Sequence, residues 1–264
     1  MSADALRAEW TKLRTLSSTW WLLLAAVALT IVVGAAVATA VQCPLSGCSV
    51  STTGADPAKI SLSGVDLGQV IVALLAVLAV GGEYGTGMIR VTLAATPRRL
   101  VMLAAKAMVV TGWAVAAGVV AVLGSVLAGR LILPGRGLSA ANGYSLVSLG
   151  NGPDLRAAAG SVLYLALIAL LALGVTTAVR ESAVGIGLVL GLLYLFPIVS
   201  LVIPDQVLAR HLEQIAPMTA GLYIQATVGV RALPLAPWQG LGVLAAWTAG
   251  ALLAGGLLLR LRDA

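Results

Sequence analysis

Six stretches of this sequence are apolar enough to lie in a lipid bilayer, and their centres are almost free of charge. They are Trp20–Val41, Leu67–Gly82, Val101–Ala128, Ala157–Val179, Ala183–Ile203 and Leu241–Leu259. A spanning helix needs about 20 mainly apolar residues; the second stretch is the shortest and opens beside Asp66 and Gln69. Lipid offers the backbone no hydrogen-bond partner, so a crossing segment of this length must satisfy its amides internally, as a helix. Composition points the same way. Charged residues make up 10% of the 264, against about 25% in soluble domains, too few to coat a water-facing globule. The expectation is an all-α integral membrane protein, a single transmembrane domain over 1–264.

The first span is preceded by 1–19, where Leu6, Trp10, Leu13 and Ser17 recur at helical spacing among Arg7, Lys12 and Arg14. This reads as an amphipathic helix at the membrane surface. Ala38-Thr39-Ala40 resembles a signal-cleavage pattern, but the apolar run before it exceeds the roughly 7–15 residues of a signal core. The helix is therefore read as retained.

Charge placement orients the chain. Connections on the side of both termini hold Arg7, Lys12, Arg14, Arg90, Arg98, Arg99, Arg180, Arg260 and Arg262, and Lys106 sits just inside the third span. The longer connections on the other side hold Lys59, Arg130, Arg136, Arg156, Arg210 and Arg231. Basic residues favour the cytoplasmic side, which places both termini in the cytoplasm; Lys106 is expected to snorkel towards that surface. The outer connections are 42–65, 129–155 and 204–240. In the last, Val207, Leu208, Leu212 and Ile215 share a helical face, and Met218–Val230 is apolar but too short to span. Two surface-lying or re-entrant pieces are expected there. Gly187 with Gly191, and Gly250 with Ala254, are spaced to let helices pack closely.

Several chemistries have no residues to support them. None of the three lysines follows Gly or precedes Ser or Thr, so there is no phosphate-cradling Gly-Lys-Ser/Thr. His211 is the only histidine, which excludes a paired-histidine metal motif. Gly137-Leu138-Ser139 and Gly143-Tyr144-Ser145 lack a nearby base. No span carries paired carboxylates, and no run of Lys/Arg exceeds two, which argues against a nucleic-acid face. The chain reads as neither an enzyme nor a cofactor-binding protein. Cys43 and Cys48, on the outer side, are close enough for a small disulfide loop or remain two free thiols. Asp66 and Gln69 either line an exit path or are hydrated at the interface.

Function concentrates in the connection Gly82–Leu100. Glu83 and Arg90 lie two helical turns apart; Met88, Val91, Thr92 and Ala95 share a face; Thr96-Pro97 looks like an N-cap and first-turn proline. This describes a short helix along the membrane, exposed to cytoplasmic partners.

Three motifs in order now resemble those of ABC-2 type transporter permeases of actinobacteria. They are Ala8-Glu9-Trp10-Thr11-Lys12-Leu13-Arg14-Thr15 with Ser18-Thr19-Trp20-Trp21; Glu83-Tyr84 leading into Arg90 and Pro97-Arg98-Arg99; and Pro217-Met218-Thr219-Ala220-Gly221 before the last span. The six-span layout agrees across essentially the whole chain. The chain departs at Gly85-Thr86-Gly87-Met88, where such permeases commonly place Gly-Thr or Gly-Ser two residues after Glu-Tyr. The resemblance implies a six-helix subunit in a bacterial cell membrane, working as a homodimer or heterodimer with two copies of a separate ATPase that binds ATP and Mg. It implies that Trp10, Lys12 and Arg14 belong to the interfacial helix. Glu83, Tyr84, Gly85, Arg90, Arg98 and Arg99 belong to the segment that couples to the ATPase.

The expected function is therefore export of a drug, lipid or natural product of hydrophobic or amphiphilic character, matching spans built of Leu, Val, Ala and Gly. The competing classes are an ion-coupled carrier or channel, which would place ionisable groups mid-membrane, and a non-transporting anchor or sensor partner. A lipid-modifying enzyme stands further off.

Overall fold

The computed structural model describes residues 3–41, 56–88, 99–139 and 144–261. The described residues are mostly helical, with no strand among them. Among the described residues, ten α-helices follow in chain order: α1 Ala3–Thr15, α2 Ser17–Ala40, α3 Pro57–Leu62, α4 Val65–Gly85, α5 Arg99–Ile132, α6 Gly152–Val179, α7 Ser182–Val202, α8 Gln206–Ile215, α9 Pro217–Leu222 and α10 Pro237–Leu261. Six of them are long and apolar enough to cross a membrane: α2, α4 with α3 before it, α5, α6, α7 and α10. This is a multi-pass membrane protein by length and composition. Each crossing overlaps a stretch expected from sequence. Most extend beyond it, because polar and small residues at the helix ends continue the turn without adding hydropathy.

Helices α4 and α6 form the centre of the bundle and are the most buried of the six; α7 is the least covered. Val72, Val77, Ile168, Leu171, Leu173 and Leu193 make up part of its core. Trp20 and Trp21 stay exposed at the start of α2, as amphipathic rings do near a membrane interface.

Close helix crossings depend on glycines other than those the sequence suggested. A Cβ on Gly174 of α6 would lie 2.7 Å from backbone atoms of Ala251 and Leu252, and one on Gly255 of α10 would lie 2.7 Å from the Gly174 carbonyl. At the α2–α4 crossing, a Cβ on Gly64 would come within 1.8 Å of the Thr30 carbonyl. Gly187, Gly191 and Gly250 meet nothing within 4 Å. Among the described residues they bring no helices together: Gly187 and Gly191 are exposed on α7, and Gly250 is exposed on α10; spacing alone does not say which way a face points.

The connection after α7 divides in two. No residue of α8 is buried, so it lies on the surface. In α9 and the turn that follows, Pro217, Ala220, Gly221 and Ile224 are buried. Ile224 sits against Gly160 of α6, and Gly221 against Tyr164. One piece is thus superficial and the other dips into the bundle. The connection 42–65 also contains α3, which opens on Asp56-Pro57, with the Asp56 carboxylate accepting from the Lys59 amide at 3.1 Å. Asp56 further accepts from the Thr227 hydroxyl at 2.7 Å and the Val228 amide at 3.0 Å, clamping the last far-side connection to α3.

Candidate functional site

On the side that carries both chain ends, four charged side chains from three helices meet inside the protein. Helical spacing puts Glu9, Lys12 and Leu13 on one face of α1. Glu83 comes from the last turns of α4, and Lys106 from the second turn of α5. The Lys106 ammonium donates to Glu9 at 2.6 Å, to Glu83 at 2.9 Å and to the Ala79 carbonyl at 3.1 Å, so all three of its protons are used. Lys12 donates to Glu83 at 2.9 Å and to Glu9 at 3.1 Å. Two cations and two anions alternate, and the cluster is neutral.

Lys106 is only 3% exposed. It does not snorkel to open water as its position suggested; α1 lies over it and supplies a carboxylate. Glu9, with no role expected from sequence beyond the motif around it, is 2% exposed and supplies that partner. One oxygen of Glu83, Oε2, is buried without a hydrogen bond. Burial alone would pull the Lys12 ammonium down, but its hydrogen bond to Glu83 and the charges of Glu9 and Glu83 outweigh this and hold its pKa above the usual 10.5. Its folded pKa is raised, so its link is fully present at neutral pH and is lost only as the pH climbs past that value.

Aromatic packing holds α1 as well. Trp10 stacks on Trp113 of α5 at 4.8 Å with 12° between planes, and Trp20 meets the same ring edge-on at 5.2 Å. Leu13 is buried beside them. Arg7, Thr11 and Arg14 face outward, and the Arg14 carbonyl accepts from the Trp20 indole at 3.0 Å.

The same side gathers the other helix ends. Arg99 donates to the Leu259 carbonyl at 2.8 Å and Arg180 to the Leu258 carbonyl at 3.1 Å, satisfying carbonyls that α10 leaves open at its C-terminus. Arg180 occupies the tight corner between α6 and α7 with φ 66°. Tyr84 packs against the core and Gly85 lies open. Arg90 and Arg98 fall outside the described residues, as do Cys43 and Cys48.

Asp66 and Gln69 belong to a separate polar knot near the opposite side. Tyr164 of α6 donates to the Gln69 side-chain oxygen. Gln69 donates to the Asp66 carbonyl at 2.9 Å and to the Tyr194 hydroxyl at 3.2 Å, and Tyr194 of α7 donates to the Asp66 carbonyl at 2.6 Å. Gln69 and Tyr164 are wholly buried. Gln69 therefore joins α4, α6 and α7 and is buried between them; the Asp66 side chain stays partly exposed beside it.

No protein-family model and no curated protein matches the sequence.

Proposed function

We propose that this chain is the membrane-spanning permease subunit of an ATP-driven exporter, working with a separate ATPase. One observation carries this reading: the Glu9–Lys106–Glu83–Lys12 cluster fixes α1 to the ends of α4 and α5. An interfacial helix held only by apolar contact could slide on the bundle. One locked by buried ion pairs passes a push on its outer face directly into two crossing helices. A docked ATPase shifts a two-state bundle only through interactions that differ between the states, and a rigid input helix gives it a handle. The side of the chain ends is then the cytoplasmic side, in keeping with its basic connections.

In this reading ATP and Mg reside on two ATPase copies, and the outward-facing Arg7 and Arg14 of α1, with the exposed Gly85 at the end of α4, belong to the docking surface. A second permease subunit completes the pathway. The sparse cover of α7 leaves a face for it. The cargo is hydrophobic or amphiphilic, in keeping with crossings whose exposed faces carry many large apolar side chains, Leu and Val above all.

Co-purification from the native membrane tests the docking surface. Arg7→Glu with Arg14→Glu reverses two outward charges and leaves the buried cluster alone. The expected result is a normally folded protein that has lost most of the P-loop ATPase recovered with the wild type. Undiminished recovery would remove α1 from the docking surface.

A further inference from the structure

A groove of about 690 Å³ runs between α7 and α10, with Leu171 of α6 as its floor. Its walls are Leu192 on one side and α10 from Val243 to Ala254 on the other, and the end of α8 closes over it with Gln214 and Ile215. The Trp247 indole donates to the Ile215 carbonyl at 2.9 Å, which fixes that end of α8 in place. The eleven steps of α10 from Val243 to Ala254, at 1.5 Å each, give the groove a length of about 16 Å. One leaflet of a bilayer contributes about 15 Å of hydrocarbon, half of the whole core. The groove therefore matches one extended acyl chain in length, and its volume lies within the range of about 300–1,000 Å³ found for small-molecule sites.

The charge beside it names the head group. Arg210 lies one turn before Gln214 on the same face of α8. It is exposed, and among the described residues it has no ion pair or side-chain hydrogen bond. Glu213, the nearest acid in sequence, is turned to the Tyr223 hydroxyl at 3.1 Å, and Asp205 caps the start of α8 through the Val207 amide at 2.8 Å. An uncommitted guanidinium at a membrane surface, next to an apolar slot one leaflet deep, suits a phosphate with an attached chain. We infer that the α7–α10 groove binds an anionic phospholipid, with one acyl chain in the groove and its phosphate on Arg210. This site is separate from α1 and does not require the ATPase reading.

Native mass spectrometry of the full chain in nonionic detergent tests it, with dioleoyl phosphatidylglycerol and dioleoyl phosphatidylcholine as probes. The wild type is expected to retain the anionic phosphatidylglycerol about fivefold better than the zwitterionic phosphatidylcholine, the preference that one basic residue confers for an anionic lipid. Arg210→Gln brings the two lipids to parity. Gly250→Leu fills the groove from a position whose Cβ meets nothing within 4 Å, and is expected to lose both lipids with an unchanged melting temperature. If Gly250→Leu fails to fold, the exposed Arg210→Gln decides alone. Equal retention by the wild type, or a wild-type preference in Arg210→Gln, overturns the proposal; so does full retention by a folded Gly250→Leu.

Discussion

Lys106→Ala is expected to destabilise the folded chain by about 3–5 kcal/mol, the usual consequence of removing one partner from a buried ion cluster. The cause is what stays behind. Glu9 and Glu83 have side chains only 3% and 9% exposed, and without Lys106 two carboxylates share a buried site with a single remaining cation. Lys12 cannot replace it, since its ammonium already serves both acids from the other side. Lys12→Ala should be much milder, because its side chain is 32% exposed and water can enter in its place. Thermal unfolding in detergent should therefore order the proteins wild type, Lys12→Ala, Lys106→Ala. The triple variant Glu9→Gln, Glu83→Gln, Lys106→Met should regain much of the loss, as neutral replacements of buried ion clusters often do. A Lys106→Ala protein that melts with the wild type would show that the cluster does not hold α1.

Gly174→Val should be the second severe change. Its Cβ would sit 2.7 Å from backbone atoms of α10, which cannot rotate away as a side chain could. Overpacking of a close-packed interior costs about 1–3 kcal/mol, and here relief requires α6 and α10 to separate. Gly187→Val is the matched control, since no atom of the described residues lies within 4 Å of that position. The same melting experiment should show a large loss for Gly174→Val and almost none for Gly187→Val. Equal effects would mean that the α6–α10 crossing is not set by Gly174.

The crossings were readable because hydropathy over about 20 residues reports directly on the environment that lipid imposes. Facing directions were not. The spans are apolar all round, so Gly187 and Gly174 look alike in sequence, although one points outward and the other touches a neighbouring backbone. Helix α3 carried a legible start, Asp56-Pro57, but lies in a polar connection that hydropathy passes over. The buried cluster was half legible. Glu83 stood out in the connection after the second span, but Lys106 read as a snorkelling lysine and not as its partner. Glu9 was hidden because the amphipathic pattern of 1–19 assigned its inward face to Leu6, Trp10 and Leu13, whereas the structure turns Glu9 and Leu13 inward and leaves Trp10 half exposed on Trp113.

Transport by purified protein in sealed liposomes tests most directly the claim that this chain is a gate driven from outside. An amphiphilic fluorescent cargo and ATP would be supplied, with the chain present alone or together with the ATPase recovered from its native membrane. Accumulation against a gradient is expected only when both proteins and ATP are present, and is expected to be lost when α1 carries Arg7→Glu and Arg14→Glu. Uphill accumulation by this chain alone, powered by an ion gradient or by nothing added, would contradict it.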